Sequence, residues 1–283
     1  MRDNLLMIVT GRKRVGKSHT TLKHLLHLAY KSKTPKKSLI LDVNGEYGAY
    51  EIDWVKHNIK EIKEADLIKY SNSKIHEVRR IVPTLPSGMP MDENQIDDLL
   101  IKVIKFFRNG ILFIDDLNVI MGDAMPVKFT SLLCNNAHRG ADVILHLQSA
   151  GRLLPKLRQN TNIIRMHAQL DDIDDSKGKL PPSDYKILKI AQLMINKQVD
   201  AGNMRFYLTI NRDVMKIEGQ FSPRMLSDAI KAFLLENPSA FGALMKQRDE
   251  QGKTRFTYEQ ALNARIIELY NLYNGNAVIP AKA

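Results

Sequence analysis

Gly11-Arg12-Lys13-Arg14-Val15-Gly16-Lys17-Ser18 is the stretch that decides the fold. Before it runs Leu5-Leu6-Met7-Ile8-Val9-Thr10, a short apolar run of the kind a buried parallel strand has. After it comes a helical pattern in which Leu22, Leu25, Leu26 and Ala29 share one face. The two glycines let the backbone curl so that successive N–H groups face an anion, and the helix N-terminus adds its positive end. G-x-x-x-x-G-K-S between a strand and a helix is the spacing of a loop that cradles nucleotide phosphates. Lys17 reaches the β- and γ-phosphates, and Ser18 is placed to ligate Mg2+. Gly11, Arg12, Lys13, Arg14, Val15, Gly16, Lys17, Ser18 and His19 are therefore the nucleotide-binding candidates. ATP and Mg2+ are the expected cofactors.

Such a loop needs a metal-binding acid at the end of another buried strand. Ile111-Leu112-Phe113-Ile114-Asp115-Asp116 supplies one. Asp115 is the expected second holder of Mg2+, and Asp116 is a candidate to polarise the attacking water. The apolar strand Val143–Leu147 ends in Gln148, a polar group placed to sense the γ-phosphate and orient water. Arg139, just before that strand, is a candidate arginine finger acting across a subunit boundary; its bland reading is a surface charge. Arg152, Arg158 and Arg165 compete for that role.

Further strands are expected at Ser38–Val43, Asp66–Ser71, Ile75–Val82 and Ile163–His167. A helix is expected from Met91 to Arg108, where Ile96, Leu99, Leu100, Val103, Ile104 and Phe107 recur at helical spacing. Another is expected from about Pro126 to His138. Strands alternating with helices give an α/β fold, a mostly parallel sheet flanked by helices. From 171 onward the texture changes. The stretch Asp171–Pro182 reads as an exposed acidic loop, followed by a helix from Ser183 to about Val199. A hairpin (Met204–Ile210, Val214–Ile217) comes next. Helices begin at Ser222-Pro223, Asn237-Pro238 and Thr257. The expected division is an ATPase domain over 1–170 and a mainly helical extension over 171–283.

The net charge of +11 is unevenly placed: residues 1–40 carry ten basic residues and one acid. A basic block suggests a polyanion, nucleotide or nucleic acid. Part of that excess surrounds the phosphate loop, and Lys31, Lys33, Lys36 and Lys37 are the best candidates to meet DNA. The single cysteine, Cys134, forms no internal disulfide, which suits an intracellular chain or a particle assembled in a cytoplasm. No apolar run approaches the roughly 18–20 residues of a membrane span, and Leu5–Val9 is too short for a signal peptide. His24 and His27 lack metal-ligand partners, and Asp171–Asp175 lacks the glycine and terminal glutamate of a calcium loop.

The phosphate loop on the first strand, Asp42-Val43-Asn44-Gly45-Glu46-Tyr47 after the second, and the apolar strand ending in Asp115 together resemble the FtsK–HerA superfamily of ring-forming DNA-pumping ATPases. His138-Arg139-Gly140-Ala141-Asp142, leading into the strand ending at Gln148, belongs to the same pattern. The short chain and Asp115-Asp116-Leu117 are similar to the viral branch, the poxvirus-type genome-packaging ATPases. The HRGAD stretch also resembles the zonular-occludens-toxin-like ATPases of filamentous phages. The resemblance covers about residues 5–168. It implies a RecA-like P-loop fold, a homo-oligomeric ring (a hexamer) with ATP between subunits, a finger supplied in trans, and DNA gripped without sequence preference. Where many members have Glu after the metal-binding Asp, this chain has Asp116, so Glu46 shares or takes the water-placing role. The expectation is an ATP-driven DNA translocase that packages a viral genome, in the host cytoplasm or on the virion, with a capsid vertex or membrane protein as partner. The alternatives are a phage assembly or export ATPase, and a nucleotide-binding structural or switch protein without turnover.

Overall fold

The computed structural model describes residues 4–52, 55–116, 140–150 and 155–276. They form two compact units, 1–164 and 165–283.

In the first unit, β1 (Leu6–Thr10) is buried along its whole length and runs into the phosphate loop, which opens α1 (Lys17–Tyr30). Then come β2 (Ser38–Leu41), a small antiparallel hairpin of β3 (Ala49–Ile52) and β4 (Val55–Asn58), and the short β5 (Lys60–Glu61). α2 (Leu67–Asn72), β6 (Val78–Ile81), α3 (Glu93–Phe106), β7 (Gly110–Ile114) and β8 (Ala141–Leu147) follow. β9 (Ile163–Met166) straddles the division between the units. The strands of this unit lie side by side in the order β9-β1-β8-β7-β2-β6-β5. The pairs from β1 through β5 are all parallel, so the expected mostly parallel sheet is present.

One face of this sheet and α1 make a core. Leu22, Leu25, Leu26 and Ala29 from the helix meet Met7, Val9, Ile40, Ile111, Phe113 and Ile144 from the strands. α3 begins in a capping box: the Asp92 carboxylate accepts from Gln95 N at 2.9 Å, and Gln95 Oε1 accepts from Asp92 N at 3.0 Å. Gly110 is required by close approach, because a Cβ there would sit 2.6 Å from the Lys37 carbonyl oxygen.

Two expectations for this unit are corrected. Asp66–Ser71 is not a strand. A 3-10 turn at Glu64–Asp66 leads into α2, which buries Leu67, Tyr70 and Ser71 on one face and leaves Ile68 outside. That is helical spacing. The strand expected over Ile75–Val82 is confined to Val78–Ile81. The helix expected near 126–138 lies outside the described residues.

The second unit opens with a 3-10 helix at Ile173–Lys179, where an exposed loop is expected. The segment is held because Ile173 is buried and Lys189 Nζ lies 2.7 Å from both Asp172 and Asp174 carboxylates. The helix Pro182–Asp200 packs on Pro223–Glu236, which packs on Tyr258–Tyr273; a short helix, Ser239–Met245, lies between the last two in sequence. β10 (Leu208–Asn211) and β11 (Lys216–Glu218) form the expected hairpin. Ser222 and Thr257 cap the helices they precede, as side-chain acceptors for Met225 N and Gln260 N.

Candidate nucleotide-binding and hydrolysis site

The register of the sheet sets up the site. Thr10 stands opposite Leu147, Ile114 opposite Leu145, and Leu41 opposite Ile114. The residues that leave these four parallel strands therefore gather at one edge: Gly11 after β1, Gln148 after β8, Asp115 after β7 and Asp42 after β2. Ligands of open α/β sheets bind at that carboxyl edge.

The loop from Gly11 to Gly16 needs left-handed backbone. Gly16 sits at φ 89° as it caps α1, a conformation glycine takes at no steric cost, and Arg14 adopts φ 66°. No acidic side chain lies in the first turn of α1. Its N-terminal amides and dipole are thus left to favour an external anion. Lys17 is nearly buried and folds its ammonium onto the loop, donating to Gly11 O at 2.6 Å and Arg12 O at 2.9 Å. Burial pushes its pKa down, and the nearby Asp116 and Asp115 carboxylates oppose that push.

Asp115 is the hub of a buried network. Its Oδ1 lies 2.8 Å from His146 Nδ1 and accepts from Asp116 N at 2.9 Å. Its Oδ2 accepts from the Tyr47 hydroxyl. The other ring nitrogen, His146 Nε2, lies 2.8 Å from the Thr21 hydroxyl on α1. A carboxylate only accepts, so Nδ1 carries a proton. Burial raises the Asp115 carboxyl, but the hydrogen bond and charge of His146 and the bond from Tyr47 outweigh it, leaving the group below its ordinary value. Asp115 is thus ionised near neutral pH and fit to hold a cation.

Asp42, fully buried, shapes the turn after β2. Its carboxylate accepts from Glu46 N at 2.9 Å, Tyr47 N at 3.0 Å and Arg80 Nη1 at 2.8 Å. This fixes the backbone that carries Glu46 and Tyr47. Glu46 itself is exposed, but partial loss of solvent and the charges of Asp115, Asp116 and Asp42 raise its carboxyl, with Lys13 opposing. Asp116 has φ 45° and accepts from Asn44 Nδ2 at 3.3 Å. The Tyr47 ring is buried edge-on against Phe113, with centroids 5.7 Å apart, and stacks on Tyr50. His19 lies near the same Tyr50 ring. Gln148 is half-buried at the strand end.

The structure thus brings together the loop, Ser18, Asp115, Asp116 and Glu46. Arg139 and Arg152 lie outside the described residues. Arg158 and Arg165 are both more than nine-tenths buried, Arg165 lying over the Tyr207 ring. Two of the four lysines expected to meet DNA are otherwise engaged. Lys36 pairs with Asp142 at 2.5 Å, and Lys37 is buried, donating to the Ser71 and Ser73 carbonyls. Lys31 and Lys33 are exposed.

The residues present fit a magnesium nucleotide. Mg2+ takes few protein ligands and completes its shell with phosphate oxygens and water. The Ser18 hydroxyl and the ionised Asp115 carboxylate are ligands of that sort, and no group of three or more His, Cys, Asp or Glu forms a full protein cage among the described residues. The sequence reading missed His146. Its signal was a polar residue inside the apolar run Val143–Leu147. Tyr47 was visible in its motif but had no role attached.

No family model matches the chain, and no curated protein matches it. Several solved structures are similar. The genome packaging NTPase of Sulfolobus turreted icosahedral virus 2 in complex with AMP is 18% identical with a TM-score of 0.46, over 78% of this chain and 99% of that one. The same NTPase with ATP-gammaS is 16% identical, TM-score 0.45, over 77% and 97%. The N-terminal domain of zonular occludens toxin from Neisseria meningitidis is 11% identical, TM-score 0.34, over 60% and 79%.

Proposed function

We propose that this chain is an ATP-driven DNA translocase of the viral genome-packaging kind. One observation carries the ATPase part. Four adjacent parallel strands deliver the phosphate loop, the Asp115 acid, the Asp42–Tyr47 turn and Gln148 to one edge of the sheet. Ser18 and Asp115 would hold Mg2+, which neutralises phosphate charge when bound. Lys17 and the loop amides bind the phosphates and stabilise the charge that develops on the γ-phosphoryl group. Glu46, on a turn fixed by Asp42, orients the attacking water in line and accepts its proton. Asp116 supports it from the neighbouring strand end. Gln148 contacts the γ-phosphate side of the site.

The DNA part rests on the resemblance and on charge. A groove of about 430 Å³ between α1 and the β3–β4 hairpin is lined, among the described residues, by Lys23, His27, Tyr30, Lys31 and His57, with apolar Leu26, Ile52 and Val55. Lys and Arg suffice for a grip on phosphates without base reading. Arg139 is the proposed finger, and the working unit is a homo-oligomeric ring, a hexamer, in the host cytoplasm or on the virion. Among the described residues no helix is long and apolar enough to cross a membrane.

Mass photometry of the purified chain with a non-hydrolysable ATP analogue and double-stranded DNA tests the ring. The expected result is a discrete hexamer that needs both ligands. A monomer under every condition overturns the ring.

A further inference from the structure

The Tyr47 hydroxyl occupies an unusual place. It donates to Asp115 Oδ2, and the Ser18 side chain lies close enough to interact with the same phenol. Ser18 and Asp115 are the two residues that would hold the cation. One phenol therefore stands between both of them. On the opposite side of the carboxylate, His146 holds Oδ1 and is itself braced by Thr21. Asp115 is thus gripped by two groups of different character. The histidine side is anchored in the sheet and α1. The tyrosine side belongs to a turn.

That turn is also the one that carries Glu46. The amides of Glu46 and Tyr47 both bond the Asp42 carboxylate, so the two residues share one support. The Tyr47 ring is 1% exposed and confined between Phe113 and Tyr50. A confined phenol with two side-chain torsions cannot simply swing its oxygen aside, because the oxygen lies on the ring axis. Withdrawing it from Asp115 requires the turn to move, and Glu46 with it.

We propose that Tyr47 is a latch on the cation site: it holds Asp115 until the site is loaded, and its release carries Glu46 into the water-placing position. His146 is the matching positioning residue, keeping Asp115 aimed when Tyr47 lets go. The proposal rests on the reading of Ser18 and Asp115 as the cation-holding pair. It adds a role for two residues that this reading leaves idle.

The test is a Mg2+ titration of fluorescent, non-hydrolysable ATP-analogue binding to the full chain, wild type against Tyr47→Phe. The variant keeps the ring and loses only the hydroxyl. A hydrogen bond to a buried carboxylate no longer has to be given up, so half-maximal binding should need about tenfold less Mg2+. Binding without Mg2+ should be unchanged, and turnover at saturating Mg2+ should fall because Glu46 is no longer coupled to loading. An unchanged or increased Mg2+ requirement overturns the latch. Wild-type binding that ignores Mg2+ overturns instead the cation-site reading on which the latch depends. Hydrogen exchange on the wild type needs no variant. The latch predicts that the Glu46 and Tyr47 amides exchange differently with nucleotide plus Mg2+ than with nucleotide alone, and identical exchange contradicts it.

Discussion

Lys17→Ala should lower kcat/KM for ATP hydrolysis by about 10²–10³-fold, the loss seen when one charge-stabilising donor is removed, and should weaken nucleotide binding as well. Two losses combine. The ammonium that would meet the phosphates is gone, and so is the tie from Lys17 Nζ to the Gly11 and Arg12 carbonyls that holds the curled loop. An ammonium has three donors, and only two are engaged by the loop. Folding should survive, because α1 docks through Leu22, Leu25, Leu26 and Ala29, one turn and more beyond Lys17. Phosphate release and fluorescent-nucleotide titration, with circular dichroism as the folding check, make the comparison. Full hydrolysis by Lys17→Ala would end the assignment of the loop.

The second large effect separates two carboxylates. Glu46→Gln should keep nucleotide affinity and lower turnover by about 10²-fold or more, as expected for a lost general base. Asp116→Asn should cost less. The reason is environment: Glu46 is exposed at its turn, yet partial loss of solvent and the charges of Asp115, Asp116 and Asp42 raise its pKa and make it the better base. Asp116 is engaged by Asn44. A raised carboxyl is protonated sooner as pH falls, so turnover should begin to drop above the ordinary glutamate value of about 4.3. Glu46→Gln should remove that acid limb. A larger loss in Asp116→Asn than in Glu46→Gln would reverse the assignment.

Much of the sheet was legible because its central strands are mostly apolar. Leu6–Thr10, Gly110–Ile114 and Ala141–Leu147 are buried nearly end to end, so a simple apolar run marks each one. The phosphate loop was legible because its spacing is set by backbone geometry. The β3–β4 hairpin was not, since most of its residues are partly or fully exposed and carry no apolar alternation. α2 was misread because six residues barely separate a period of 3.6 from one of 2. Lys36 looked available because its partner Asp142 is 106 residues away. His146 was hidden for a related reason. Its meaning lies in Asp115 and Thr21 on other elements, and one-dimensional periodicity counts a lone histidine only as an interruption.

The central claim is that nucleotide hydrolysis at this edge of the sheet is coupled to DNA. The most direct measurement is phosphate release by the wild-type chain with Mg2+ and ATP, with and without double-stranded DNA of arbitrary sequence, in low and in physiological salt. Turnover that DNA stimulates several-fold, independently of sequence and less so as salt rises, is the predicted result. Tight Mg2+-dependent nucleotide binding with no phosphate release, with or without DNA, would contradict it and make the chain a nucleotide-binding switch.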